Sequence, residues 1–127
     1  MIGWMFRVNR KRIDLFTPAT STTWNGPLLA AWQTGSAGMD WIEALLRESY
    51  VQMVWNNYGY PNRYTAQAKR ICPVLLAGPP HARDIWVVGE GDIVVGPLSH
   101  RRSRFDRDAI QACAGHEWLA IEVWDES

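Results

Sequence analysis

The sequence is poor in cysteine and has no long apolar segment. Its two cysteines, Cys72 and Cys113, form no C-x-x-C pair, which argues against a structural zinc site or any other metal cofactor. No stretch approaches the roughly 18 apolar residues of a membrane span. The N-terminal MIGWMFRVNRKR lacks the basic-then-apolar order of a secretory signal. We therefore expect a cytoplasmic protein with reduced thiols and no membrane contact.

The sequence also lacks an excess of charge and a catalytic motif. Thirteen lysines and arginines balance thirteen aspartates and glutamates, so binding to nucleic acid would need a local basic patch. His116 and Glu117 are adjacent, but no second histidine completes H-E-x-x-H. Neither G-x-S-x-G nor the phosphate-binding G-x-x-x-x-G-K occurs. These absences favour a non-enzymatic protein with no catalytic residues and no cofactor.

What the sequence does contain is the pattern of one α+β domain. A length of 127 residues and a hydrophobic share of 47% predict a single domain over residues 1–127. Alternating apolar residues predict a β-hairpin over residues 2–15. Two β-branched runs around the turn sequence GEGD predict another over residues 85–95. The C-terminal EWLAIEVWDES has the alternation of a final strand.

Helical signals fall between these strands, at residues 27–34, 41–58, 63–72 and 103–114. We therefore expect an α+β fold whose mainly antiparallel sheet has about five strands, two hairpins plus a C-terminal strand, packed against three or four helices. The predicted helix over residues 41–58 has two apolar stripes on opposite sides. A second stripe indicates either a helix inside the domain or a second face that binds a partner.

The segment WNNYGYPNRY and the abundance of tryptophan give the main functional hypothesis. Eight tryptophans are difficult to bury completely in so small a domain, so some should reach the surface. Trp, Tyr and Arg are enriched at binding hot spots, and Tyr, Asn and Gly in binding loops. The alternative is that the tyrosines pack at a corner between two helices. The predicted partner-binding residues are Trp55, Tyr58, Tyr60, Asn62, Arg63, Tyr64 and Trp24.

A basic cluster gives the second hypothesis. His100, Arg101, Arg102 and Arg104 gather at a predicted helix start, where backbone N–H groups also favour anions. This arrangement could bind a phosphorylated ligand or nucleic acid, in an enzyme or a binding protein. The alternative is that Asp106 and Asp108 pair with these arginines on a solvated face.

Three functional classes therefore remain. The first is a small protein-binding module of bacterial or phage type, an inhibitor or an immunity or anti-defence protein, which blocks a protein partner sterically through an aromatic and arginine patch. The second is the phosphate- or nucleic-acid-directed protein. The third is a structural subunit joined through the two-striped helix. The sequence favours the first, because it has an aromatic excess and no catalytic motif.

Overall fold

The strands and helices of this chain alternate in short elements. The computed structural model describes residues 3–20, 26–78, 80, 85–88, 92–95 and 104–125, with the backbone alone for 85–88 and 92–95. In chain order the elements are β1 (Trp4–Arg10), β2 (Leu28–Thr34), a 3-10 turn (Ser36–Met39), α1 (Asp40–Arg47), β3 (Val51–Trp55), β4 (Asn62–Gln67), α2 (Ala68–Leu76), β5 (Ile85–Val88), β6 (Asp92–Val95), β7 (Arg104–Phe105), α3 (Arg107–Ala112) and β8 (Trp118–Asp125).

A six-stranded antiparallel sheet forms the centre of the fold. Its strand order is β3-β4-β8-β1-β2-β7, and β5 and β6 form a separate two-stranded hairpin. The described residues also contain three α-helices. The α+β class with a mainly antiparallel sheet is therefore confirmed, although the main sheet has six strands instead of about five.

One face of the sheet carries the hydrophobic core. Alternate residues of β1 and β8 point to this face, and each of the three helices adds an isoleucine to the same cluster. Trp32 of β2 stacks on Phe6 of β1, with ring centroids 5.0 Å apart. The core side chains include Phe6, Val8, Trp32, Ile42, Ile71, Ile110 and Ile121. Because the core lies on this side, the functional groups of the other face stand on a rigid support.

The opposite face of the sheet, which we call the open face, is covered at one end by residues 11–20. The Ala19 N–H donates to Thr65 Oγ1 of β4 at 2.9 Å. Buried Lys11 holds the segment together, because its Nζ donates to the Thr17 carbonyl at 2.7 Å. The middle of β1, β8 and β4 lies beyond this cover.

The predicted N-terminal hairpin over residues 2–15 is wrong. β1 forms, but it pairs with β2, and residues 11–15 belong to the segment on the open face. Residues 27–34, predicted as a helix, supply that partner strand. β2 is buried on both faces from Leu29 to Trp32, so it lacks the alternation that reveals a half-exposed strand.

The predicted helix over residues 41–58 is also wrong beyond its first half. α1 ends at Arg47, and Ser49 adopts a left-handed conformation with φ +63°. The Tyr50 N–H then donates to the Leu45 carbonyl at 2.9 Å, as in a Schellman helix end. The chain continues as strand β3, so no two-striped helix exists. The structural-subunit hypothesis loses the joint on which it depended.

The predicted helix over residues 63–72 divides into a strand and a helix. Residues 62–67 form β4, and α2 starts only at Ala68. α2 also continues through Pro73 to Leu76, whereas the sequence predicted that the helix ends at Cys72. Pro73 is exposed, and its carbonyl accepts the Ala77 N–H at 3.1 Å. The helix thus continues past Pro73, although the proline itself has no N–H to donate.

Candidate functional site

A row of charged and aromatic side chains crosses the open face of the sheet. Residues that are paired on neighbouring strands point to the same face, so the strand register places them side by side. The row contains three arginines and one glutamate, with a tryptophan at the β3 edge. We call it the cross-strand row, and from β3 to β7 it consists of Trp55, Arg63, Glu122, Arg7, Ala31 and Arg104.

The Glu122 carboxylate orients two neighbouring side chains through hydrogen bonds. Its Oε2 accepts the Arg63 Nε–H at 3.0 Å, and its Oε1 accepts the Trp124 Nε1–H at 2.8 Å. The side chains of Arg63 and Glu122 are 27% and 20% exposed. One carboxylate therefore holds a guanidinium and an indole in set orientations while both remain accessible. Such charge-assisted bonds fix geometry more than they add stability near the surface.

The middle of the row borders a shallow cavity of about 420 Å³. Arg7 is exposed beside it, and the tryptophans Trp55 and Trp124 are 47% and 39% exposed. The cavity is lined by Arg7, Asn9, Gly26, Arg63, Ala120, Ile121 and Glu122. Two guanidiniums and an amide thus surround a concave site that could take a carboxylate or another small polar group from a ligand.

The loop between β3 and β4 is held by asparagine side chains, and we call residues 56–62 the asparagine loop. Asn62 Oδ1 accepts the N–H groups of Asn57 and Gly59, each at 2.9 Å. Asn57 Nδ2 donates to the Tyr60 carbonyl at 2.6 Å. Asn56 Oδ1 accepts the N–H of Tyr58 at 3.0 Å. These bonds replace the backbone ladder in the loop, as asparagine does in tight turns.

The asparagine loop presents two tyrosines to solvent. Tyr58 is 85% exposed and Tyr60 is 54% exposed. Tyr58 has φ +53°, a conformation that is uncommon for a residue other than glycine and persists where the surroundings enforce it. The loop is thus a preformed support for exposed rings, which is the property expected of a binding loop.

The asparagine loop is also fixed to the neighbouring strand β8. The Gly59 carbonyl accepts the Asp125 N–H at 2.7 Å. Gly59 has φ +89°, and a Cβ there would lie 2.9 Å from Asp125 Cβ, so this approach requires glycine. Asp125 directly follows Trp124. The loop is therefore attached to the end of the strand that carries Glu122 and Trp124.

Asn62 should be necessary for the order of this loop. We expect Asn62→Ala to lower the free energy of unfolding by about 1 to 2 kcal/mol, because two backbone N–H groups lose their acceptor. Hydrogen exchange at the amides of Asn57 and Gly59 should also accelerate. The matched variant Asn62→Asp keeps an acceptor oxygen and should preserve slow exchange. Equal exchange rates in the alanine and aspartate variants would contradict this role.

Most of the sequence-predicted binding residues meet at this surface, and some lie elsewhere. Tyr64 is 2% exposed and packs in the core, where burial raises its pKa. Trp24 lies outside the described residues, as do His100, Arg101 and Arg102. Arg104, the remaining member of the basic cluster, is exposed on β7 at one end of the cross-strand row.

Trp124 was absent from the predicted partner-binding residues. Two charged residues of the surface, Arg7 and Glu122, were missed as well. Each has apolar neighbours in a strand, between Phe6 and Val8 and between Ile121 and Val123. The alternation that predicted these strands therefore also placed Arg7 and Glu122 on their outer face. The sequence therefore indicates that both side chains face outward, but it does not indicate the strand register that brings them together.

No family model, curated protein or solved structure matches this chain. Within the described ranges, no group of three or more His, Cys, Asp or Glu side chains is placed to hold a metal ion. No helix in that part of the chain is long and apolar enough to cross a membrane. The geometry of the open face is therefore the basis for the function proposed below.

Proposed function

We propose that this protein is a binding module that docks on an acidic surface of a protein partner and blocks that surface sterically. The contact region, which we call the aromatic–arginine surface, consists of Trp55, Tyr58, Tyr60, Trp124, Arg7 and Arg63. One observation carries the proposal. Four large rings and two guanidiniums stand exposed or half-exposed on a sheet face and a hydrogen-bonded loop that are already rigid.

The choice of a protein partner depends on the type and the rigidity of these side chains. Trp, Tyr and Arg dominate the energetically important positions of protein interfaces. A ring that is held before binding loses little conformational entropy on binding, so more of its contact energy becomes affinity. Trp124 is held by Glu122, and the loop of Tyr58 and Tyr60 by asparagine amides. Mobile surface side chains would lack this advantage.

Charge and size define the partner more closely. The cross-strand row contains three arginines against one glutamate, so it is complementary to a partner with surplus carboxylates. Neighbouring strands are ~4.8 Å apart, so a row across six strands spans about 24 Å. This length suits one side of a standard protein interface, which buries about 800 Å² per partner. An inhibitor or immunity protein would use such a surface to cover a partner's functional site.

Single-stranded nucleic acid is the second candidate ligand. Bases stack on exposed aromatic side chains of a sheet while arginines contact the phosphates, and Trp55 shares a row with Arg63 and Arg7. We rank it lower because Glu122 occupies the centre of the row and binds Arg63 directly. A carboxylate in that position repels a phosphate backbone, whereas a protein partner can place a donor opposite it.

The proposal predicts a large loss of affinity when the exposed rings are removed. A partner is first isolated with the tagged protein from an extract of the organism that encodes it, and is then purified. Trp55→Ser and Tyr60→Ser should each raise the Kd for this partner about 30-fold, the value for a hot spot of about 2 kcal/mol. Phe16→Ser is the matched control, because Phe16 is 64% exposed but lies on the segment 11–20. It should leave the Kd within about twofold.

Charge reversal distinguishes the proposed partner from the second candidate. Arg7→Glu should weaken partner binding about tenfold through slower association, and the exposed Arg12→Glu should not. Labelled oligothymidylate and oligouridylate should show no binding at physiological salt. Tight oligonucleotide binding that Trp55→Ser abolishes would favour the second candidate. The proposal would be refuted if the purified partner bound Trp55→Ser and Tyr60→Ser with the same Kd as the parent protein.

A further inference from the structure

The fold brings together two thiols that are distant in sequence. Cys72 and Cys113 are 41 positions apart, yet both line the same surface cleft. Neither cysteine is in a disulfide. Cys72 lies on α2 and is 8% exposed, and Cys113 follows α3 and is partly exposed. One thiol is therefore more accessible than the other.

Backbone hydrogen bonds hold the two cysteines in this position. At the start of α2 the Ala68 N–H donates to the Glu117 carbonyl at 2.7 Å, and the Lys69 N–H donates to the Gly115 carbonyl at 3.0 Å. These bonds attach the first turn of α2 to the connection between α3 and β8. Because this connection begins at Cys113, the backbone holds the end of α3 beside the helix that carries Cys72.

The thiols also line a surface cleft. Its volume is about 250 Å³, and its walls include Lys69, Cys72, Pro73, Leu76, Gln111 and Cys113. Such a cleft admits a small molecule such as a peroxide, which is little larger than water. A buried structural cysteine lacks this access and is chemically inert for that reason.

Their surroundings give the two thiols different reactivity. The neighbouring Cys72 thiol lowers the pKa of Cys113, against the opposing effects of burial and Glu117. The neighbouring Cys113 thiol, together with burial, raises the pKa of Cys72. Cys113 is thus the better nucleophile, and Cys72 stays a protonated thiol beside it. A low-pKa, accessible cysteine next to a second thiol is the usual arrangement of a redox-responsive pair.

We propose that Cys72 and Cys113 form a redox-responsive pair that a peroxide converts to an intramolecular disulfide. The Cys113 thiolate attacks one peroxide oxygen, the O–O bond breaks, and the leaving hydroxide takes up a proton, which leaves Cys113 as a sulfenic acid. Cys72 then gives up its proton, and its sulfur attacks the Cys113 sulfur. The S–O bond breaks and water leaves. In total two thiols lose two electrons and two protons, and one hydrogen peroxide becomes two waters.

The test is mass spectrometry of the native protein after treatment with hydrogen peroxide. We expect the intact mass to fall by about 2 Da and titratable thiols to fall from two to zero. A non-reducing peptide map should join the peptides of Cys72 and Cys113, and dithiothreitol should reverse every change. Oxygen adducts without a cross-link, a disulfide-linked dimer, or reaction only in urea would each overturn the proposal.

Single variants assign the two roles. In Cys72→Ser, oxidised Cys113 has no resolving thiol, so a dimedone adduct of its sulfenic acid should accumulate. In Cys113→Ser, the buried Cys72 should react at least tenfold more slowly with peroxide than Cys113 does. Equal peroxide rates for the two variants would contradict the assignment. If a variant fails to fold, the cross-link test on the parent protein still decides the proposal.

Discussion

Replacing Arg10 with methionine is expected to lower the free energy of unfolding by about 3 kcal/mol at neutral pH. Arg10 Nε donates to Glu117 Oε1 at 2.6 Å, and Arg10 Nη2 donates to Glu117 Oε2 at 3.0 Å. The Glu117 side chain is 1% exposed, so removal of the guanidinium leaves a carboxylate buried without its counter-ion. The Arg10 side chain is 29% exposed. Water can therefore reach the vacated position, which places the loss at the lower end of the range for buried pairs.

Several elements meet at this ion pair. Arg10 ends β1, and Glu117 directly precedes β8. Glu117 Oε2 also accepts the Ala114 N–H at 3.3 Å, and the Glu117 carbonyl accepts the N–H of Ala68, the first residue of α2. The bond to Glu117 raises the pKa of Arg10. Loss of the pair should therefore loosen the joint between the sheet and α2 as well as expose a charge.

Urea unfolding followed by tryptophan fluorescence measures this loss. The double variant Arg10→Met/Glu117→Met should recover most of it, because it buries no lone charge and keeps similar side-chain volumes. Arg12→Met, at an exposed position of the neighbouring loop, should change the free energy of unfolding by less than about 0.5 kcal/mol. A double variant less stable than Arg10→Met alone would show that the pair stabilises by more than charge neutralisation.

The sequence predicted best the elements that have one buried face and one exposed face. β8 shows this, because Leu119, Ile121 and Val123 are buried and Trp124 is exposed, as alternation predicted. The hairpin of β5 and β6 is also confirmed, with Ile85 paired to Val95. The helix predicted over residues 103–114 is confirmed only as the shorter α3, Arg107–Ala112, because residues 104–105 form strand β7. Its cap is Asp106, whose Oδ1 accepts the Ala109 N–H at 3.0 Å.

The elements that the sequence missed are of two kinds. One is a strand that is buried on both faces, and the other is a helix that ends without the usual glycine or asparagine. β2 is buried on both faces, so its letters fit a helix or a strand equally. α1 stops at a left-handed Ser49, where glycine or asparagine would have signalled the end. The apolar positions of β3 continued the helical spacing by chance. For β2 the pairing partner β1 is also distant in the chain, so local sequence could not resolve this strand.

The candidate site was predictable in its composition and unpredictable in its geometry. The segment WNNYGYPNRY does place Trp55, Tyr58 and Tyr60 at the surface. It does so as a hairpin loop, however, and Tyr64 turns into the core. The contact of Arg63 with Glu122 joins residues 59 positions apart. Such a contact follows from strand order and register, which a period of two residues does not specify.

Gly26→Ala is expected to be among the most disruptive small substitutions in this chain. A Cβ at Gly26 would lie 2.7 Å from the carbonyl carbon of Lys11 and closer still to the carbonyl oxygen of Arg10. These are backbone atoms, and the Arg10 N–H donates to the Pro27 carbonyl at 2.9 Å. Neither of the two segments can therefore move away without loss of that hydrogen bond. We expect a loss of about 3 kcal/mol, the upper end of the usual range for overpacking.

Gly115→Ala is the matched control for this substitution. A Cβ at Gly115 would lie 3.6 Å from Lys69 Cβ, an ordinary contact, so the free energy of unfolding should change by less than about 0.5 kcal/mol. Thermal and urea unfolding of both variants measure the difference. Gly26 also lines the cavity beside Arg7 and Asn9, and Asn9 Nδ2 donates to its carbonyl at 3.1 Å. If Gly26→Ala were as stable as Gly115→Ala, the segment before β2 could not lie this close to β1, and the cavity on the open face would lose one of its walls.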